Sequence, residues 1–313
     1  MADEAGSAGT TRRGELVAIL FVLAESAIYT VIFSSEKLLG DQIPVLQLQF
    51  FRFFISLLLV LAFFVVTRHR LMDCKSRHWP MHLLRGFLAV AAGAAALQAP
   101  LWAPLLDVTA VQMLDGLIAV TFGVLFLRER LLRRHWLGSA LLLVGAVTVV
   151  FGQGAFGQGA FGQGAFGGGS GIDRSEPFYW AGLGLSALVA LLFASQALVT
   201  RVLAQRDGPL VMLLYLNIIA SLMLLGPALW VWTWISFWQL FPYLLLGPLN
   251  LLAQYFYVRA CALAPISLIG PVEYSRLIFA GLLGLLFFQQ LPSLVSLIGA
   301  ALLVTGGVIL ARR

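Results

Sequence analysis

The sequence predicts an all-α membrane protein, with ten transmembrane helices arranged as two inverted five-helix repeats. Three observations predict it. The first is composition: of 313 residues, 60% are hydrophobic and 11% are charged, and the mean hydropathy is +0.94. A soluble domain carries about 25% charged residues, so this much apolar surface needs a bilayer. The second is a series of ten apolar stretches, each near the roughly 20 residues that a spanning helix requires. The third is that landmarks of the first half recur in the second at a nearly fixed offset.

Taken in order, residues 1–14 form a polar tail carrying Arg12 and Arg13. A cleavable signal would show a small-residue cleavage site soon after the first apolar stretch. The chain reads "YTVIFSSEKLLG" there, so the first span is expected to be retained. The spans are predicted at 15–35, 44–67, 81–100, 104–127 and 136–152, then at 178–201, 209–232, 239–260, 265–288 and 293–311. Very short connections, at Ala99–Ala103 and Leu291–Pro292, force antiparallel neighbours.

Ten spans put both termini on one side. That side then receives 16 of the 20 Lys and Arg, from Arg12 and Arg13 through Arg128–Arg134 to Arg312 and Arg313. The opposite side receives Lys37 and Arg174, while Arg52 and Arg276 stay inside spans. The bias marks the termini as cytoplasmic by the positive-inside rule. Arg85, at the cytoplasmic margin of span 3, reads as a topology and interface anchor. Trp230, Trp232, Trp234 and Trp238 surround an external turn as an interfacial belt. The small run "AVAAGAAA" in span 3 reads as a packing surface. Cys74 and Cys261 fall on the cytoplasmic side and form neither a disulfide framework nor a metal-ligand spacing.

The halves are related by duplication. "FLRERLLRRHWLGSALLLVGAVTVV" aligns with "FFQQLPSLVSLIGAALLVTGGVIL", so that Gly138 matches Gly299 and Gly145 matches Gly306 at an offset of 161. The same offset carries Pro104 onto Pro265 and Gly86 onto Gly247, while Pro44 meets Pro209 at 165. Five spans per half invert the second half relative to the first. Accordingly "RERLLRR" is basic and its counterpart "QQLPSLV" is uncharged. Inverted repeats are a recurring plan of secondary transporters, with the substrate site near the midplane between the halves. The repeats are assigned to 15–152 and 177–311, joined by an external Gly-rich linker at 153–176. That linker continues three F-G-Q-G-A pentapeptides starting at Phe151, Phe156 and Phe161, a composition that spans distance without directing structure.

Ionisable and polar groups at bilayer depth are the candidate site, because they are costly there. Span 1 offers Glu25 with Tyr29 one turn on, and span 2 offers Arg52. Span 4 offers Gln112 and Asp115; span 8 offers Asn250 and Gln254 on one face, with Tyr257 near; span 9 offers Glu273, Tyr274 and Arg276. The offset of 161 places Asp115 on Arg276 and Gln112 on Glu273. Opposite charges at symmetry-related midplane positions predict either a pair across the axis or an i,i+3 pair between Glu273 and Arg276. Both a structural lock and substrate or proton handling fit these groups. Arg52 fits snorkelling to the external interface or bracing against a carboxylate.

These residues resemble the drug/metabolite transporter superfamily, in its EamA-type branch of ten-transmembrane-helix transporters. The resemblance is carried by "YVRACALAPISLIGPVEYSRLIFAGLLGLLFFQQLPSLVSLIGAALLVTGGVIL", with its A-L-A-P run, its G-P-x-x-Y turn and its last span. In the first half it rests on "FFRFFIS", "LLRGFLA" and "FLRERL" followed by "WLGSALLLVGAV". It covers about 15–150 and 176–311. It implies movement of small organic solutes by alternating access, without ATP. "FFRFFIS" with "LLRG" is similar to the S-adenosylmethionine uptake branch, and riboflavin carriers are similar too. A zwitterionic or aromatic-bearing metabolite ranks first among solutes. Two departures stand out: Gln290 replaces an acid that the family usually carries and that Glu129 keeps in the first half, and "QMLDGLIAV" lacks a mid-span proline.

The competing classes are an intramembrane enzyme and a non-transporting scaffold or receptor. No G-x-x-x-x-G-K loop is present, and His69, His78, His82 and His135 lie in or beside cytoplasmic loops without a helix-spaced carboxylate. No cofactor, metal or nucleic acid is implied. The expected partners are a small solute, the lipid bilayer and protons exchanged by Glu25, Asp115 or Glu273; a homodimer is compatible. Compactness and the preference for Arg over Lys suggest a bacterial inner membrane.

Overall fold

A computed structural model of the chain describes residues 12–39, 44–67, 75–102, 108, 111–129, 133–156, 177–234, 237–288 and 294–311. Cys74, Gln290, the opening of span 4 and the linker beyond residue 156 lie outside the described residues. The first half comprises α1 (Arg12–Leu39), α2 (Val45–Thr67), α3 (Trp79–Trp102), α4 (Leu114–Leu127) and α5 (Arg133–Phe156). The second comprises α6 (Pro177–Ala204), α7 (Pro209–Trp230), α8 (Phe237–Leu263), α9 (Ile266–Val272), α10 (Arg276–Phe288) and α11 (Leu294–Ala311). Among the described residues every regular element is helical. Helices α9 and α10 together make the ninth span, interrupted by a 3-10 turn at Glu273–Ser275. Five stretches are long and apolar enough to cross a bilayer outright, at Arg13–Ile32, Leu46–Thr67, Phe178–Ala204, Pro209–Trp230 and Ile266–Leu283.

The helix ends follow local chemistry. Helix α7 starts with Pro209 at its first turn, where the missing N–H costs nothing. Helix α4 stops at Arg128, which adopts a left-handed conformation with φ 54 and turns the chain back on itself. Arg128 is the positive-φ residue other than glycine among the described residues.

The halves are interleaved rather than side by side. Helix α5 packs on α11, α2 on α7, and α4 on α9, each a helix against its own repeat equivalent. The contact of α1 with α8 is mirrored by that of α6 with α3, and α2 with α8 by α7 with α3. Helix α4 against α6 is likewise mirrored by α10 against α1. A pseudo-twofold axis therefore runs between the halves, as the duplication requires.

The glycines that revealed the repeat form its closest approach. A Cβ on Gly145 would lie 2.8 Å from the Gly299 carbonyl oxygen, and one on Gly306 would lie 2.9 Å from that of Gly138. The two contacts exchange under the offset of 161, so α5 and α11 meet through one small-residue surface used twice. Small residues let helix backbones approach where lipid offers no hydrophobic drive. The span-3 run also packs, since Val90 is buried with Leu216 and Ala220 of α7 and Ala89 lies against them.

Candidate functional site

Two broken spans define the centre. Helix α4 begins just after a turn at Met113, and span 9 breaks at Glu273–Ser275. Met113 and Tyr274 are themselves repeat equivalents, and the Tyr274 hydroxyl donates to the Met113 carbonyl oxygen at 2.5 Å. The breaks thus touch on the pseudo-twofold axis. Interrupting a span frees backbone carbonyls at membrane depth, which is tolerated only where protein or a cavity satisfies them. Tyr274 does that for Met113. Gly116 makes room for it, since a Cβ there would sit 2.6 Å from the Tyr274 hydroxyl. Asp115–Gly116 stands where the resemblance leads one to expect a proline, and here the Asp115 carboxylate accepts the Gly116 N–H at 2.6 Å.

Against these breaks lies a charge cluster. Arg276 Nη2 pairs with Glu273 at 2.8 Å and with Glu25 at 3.9 Å. Ser26 Oγ donates to Glu25 at 3.2 Å, and Tyr257 hydrogen-bonds Glu273. Asp115 lies within electrostatic reach of Glu273 and Arg276. The cluster therefore holds three carboxylates and one guanidinium. Arg276 takes the i,i+3 alternative together with Glu25 from α1, rather than a direct pair with Asp115. Its side chain keeps 37% exposure, so its charge is not wholly sealed by the two carboxylates.

A second polar layer joins α2, α7 and α8. Asn250 Nδ2 donates to Ser56 Oγ at 3.0 Å, and Ser56 Oγ lies 2.8 Å from the carbonyl oxygens of both Arg52 and Gly247. Asn217 and Gln254 exchange amide hydrogen bonds at 2.9 and 3.4 Å. Among the described residues, neither Asn250 Oδ1 nor Gln112 Nε2 has a hydrogen-bond partner. Arg52 is buried with its guanidinium 5.2 Å from the Phe53 ring centre, so it does not snorkel. Tyr29 packs on the cluster of Ile32, Leu48 and Leu246, within electrostatic reach of Arg52, Glu25 and Arg276, and so bridges the two groups.

Several expectations change. Arg85 is not an interface anchor: it is 2% exposed, donating from Nε to Thr200 at 2.9 Å and from Nη1 to the Met212 carbonyl at 3.1 Å. Among the described residues no carboxylate lies within ion-pair distance of it, and Tyr29 and Tyr257 are its electrostatic neighbours. Packing of α3 on α6 and α7 swallowed a residue that linear position had put at the membrane edge. Cys261 is a free thiol and is fully buried. Trp230 and Trp234 stand exposed at 91% and 94%, as a lipid-interface belt would.

Sequence reasoning noted Glu129 only as a retained acid, without a site role, and passed over Asn217. Glu129 accepts the Ile266 and Ser267 N–H groups at 2.9 and 3.0 Å, seating the start of α9. Its signal was the acid retained in "FLRERL". Asn217 is the repeat equivalent of Arg52 at the offset of 165, a relation that could have found it.

Ten helical spans in inverted repeats, with paired breaks and buried charges at the centre, define a protein of the secondary-transporter class. The chain belongs to the EamA-like transporter family, whose pattern matches twice, at residues 15–151 and 180–312. It is 24% identical to the pseudopaline exporter CntI of Pseudomonas aeruginosa, over 94% of this chain and 95% of that one. It is 22% identical to an S-adenosylmethionine uptake transporter of Rickettsia felis, over 86% and 83%. It is 27% identical to a riboflavin transporter of Vibrio cholerae, over 74% and 70%. A solved crystal structure shares the fold at a TM-score of 0.76 and 20% identity, covering 96% of this chain and 99% of that one.

Proposed function

We propose that this transporter moves a small zwitterionic or aromatic-bearing metabolite by alternating access, with the substrate seated at the meeting of the two broken spans. The observation that carries the proposal is the Tyr274–Met113 contact between repeat-equivalent break points, with Glu25, Glu273 and Arg276 set against it. Carboxylates at Glu25, Asp115 and Glu273 suit a substrate amine or other cation. Arg276 and the carboxylate-free Arg85 suit an anionic group, and Tyr29 and Tyr257 offer flat faces. Gln112, Asn250 and Gln254 supply amides, and Arg52 braces the second layer. The relatives support this substrate class, being named for S-adenosylmethionine, riboflavin and pseudopaline. Protons exchange at the same carboxylates as substrate enters and leaves. The protein works in a bacterial inner membrane, with both termini cytoplasmic and the Gly-rich stretch a passive external linker.

A thermal-shift screen of the purified protein against S-adenosylmethionine, amino acids, riboflavin, nucleosides and polyamines tests this. A ligand at 100 times its Kd adds about 2.7 kcal/mol. The expected result is a hit whose shift disappears in Asp115→Asn and Arg276→Gln, followed by counterflow of that ligand in proteoliposomes. A hit that binds but shows no counterflow points instead to a receptor, and a hit unaffected by both variants moves the site away from the breaks.

A further inference from the structure

We propose that Glu129 is a latch that closes the path from the central site to the basic face of the protein. It goes beyond the central site and rests on the alternating-access reading for its purpose, though not for its existence.

The latch is built from both halves. Glu129 follows α4 in the first half. Its two carboxylate oxygens take the first two N–H groups of α9 in the second half, at 2.9 and 3.0 Å. Arg201 of α6 stands 4.0 Å from the same carboxylate and also donates to the Cys261 carbonyl at the end of α8. Glu129 and Arg201 together therefore tie α4, α6, the end of α8 and the start of α9. The seam behind it is tight: a Cβ on Gly123 would meet Ile266 and Glu129 itself at 2.6 Å, and Gly270 lies against the Gly116 carbonyl. Helix α9 runs from this latch directly to the break at Glu273–Ser275. Movement of α9 away from α4 would open the site and shift Glu273 and Arg276 together.

A left-handed cap ends α4 just before this contact. Arg128 holds φ 54, and the Glu129 N–H returns to the Gly123 carbonyl at 3.1 Å. A left-handed residue other than glycine is disfavoured, and such outliers persist where surrounding structure enforces them. Here the cap is followed at once by Glu129, whose carboxylate meets the start of α9. Charge-assisted bonds to backbone N–H groups in a low-dielectric setting hold well when made and are costly to break, which suits a two-position contact.

Cys261 provides a reporter, because it is fully buried beside the latch. In a Cys74→Ser background it is the single thiol, and its alkylation by N-ethylmaleimide is measured in native membranes with no substrate present. Glu129→Ala should speed alkylation roughly tenfold or more, since local opening sets the rate. Glu129→Asp should restore most of the protection and Glu129→Gln only part. Ala228→Cys, fully buried near the far end of α7, replaces Cys261 as a control and should not gain reactivity. An unchanged Cys261 rate in Glu129→Ala overturns the latch. So does equal acceleration at both positions, which would mean general loosening. Loss of the transporter reading would appear separately, as absent counterflow with the labelling effect intact.

Discussion

At Arg276 one guanidinium answers two carboxylates, at 2.8 Å to the 3-10 turn that precedes its helix and 3.9 Å across to α1. Removing a single partner of a buried pair leaves an uncompensated charge, whereas removing both can be nearly neutral. A double-mutant cycle reads the difference. Arg276→Gln should lower stability more than the Arg276→Gln/Glu273→Gln double variant does, with a coupling of about 1–3 kcal/mol. Additive effects would show that the pair does not matter to the fold and is held only for substrate. This part of the centre was legible, because the i,i+3 spacing of Glu273 and Arg276 is visible in one helical turn. The link to Glu25 was not, since it depends on how α1 crosses α10. Arg85 was misread for the same reason: a residue six places beyond the start of a helix sits at a bilayer edge or in a protein core according to its neighbours, and α6 and α7 cover it.

Helix ends and crossings carry the next level. The loop between α6 and α7 places Asp207 where Ser76 donates to it at 2.6 Å and His82 Nε2 lies at 2.8 Å, with His78 at 3.7 Å. Partial burial pushes the Asp207 carboxyl up, but the hydrogen bonds from Ser76 and His82 more than offset this and hold it below the ordinary carboxylate range. A depressed folded value contributes stability that is full above the unfolded value near about 3.9 and is lost as pH falls through the folded one. Asp207→Asn should therefore flatten the acid limb of a stability–pH curve below about pH 4. It should also cost about 1–3 kcal/mol at neutral pH, as expected for hydrogen bonds to a charged group. An unaltered acid limb would remove Asp207 as the clasp between α3 and α7. The glycine seams were legible as matched positions, because close approach demands the same small residue twice. The Glu129 cap was not, since it needs the left-handed turn at Arg128, which no local pattern in "FLRERL" announces.

At the scale of the whole molecule, the exchange of every principal helix contact between halves is a statement about topology. Five spans per half invert one half, so ten spans return the C-terminus to the side of the N-terminus. The Lys and Arg then predict which side that is, since the expected spans leave 16 of them on the face of the termini and 2 opposite. The rule counts basic residues in short loops and near span ends, and those on this chain fall there. That charge bias predicts that the Gly-rich joint between the repeats sits on the opposite, external face. A protease site inserted between Gly167 and Gly168 should be cut in intact cells or right-side-out vesicles, whereas one appended after Arg313 should be cut only after permeabilisation. Ten spans make these two accessibilities opposite whatever the absolute orientation, because five spans separate the linker from the C-terminus. Equal accessibility of both sites would mean an even number of crossings in the second half, which would break the repeat. Opposite accessibility with the C-terminus outside would keep the repeat and overturn the charge rule for this chain.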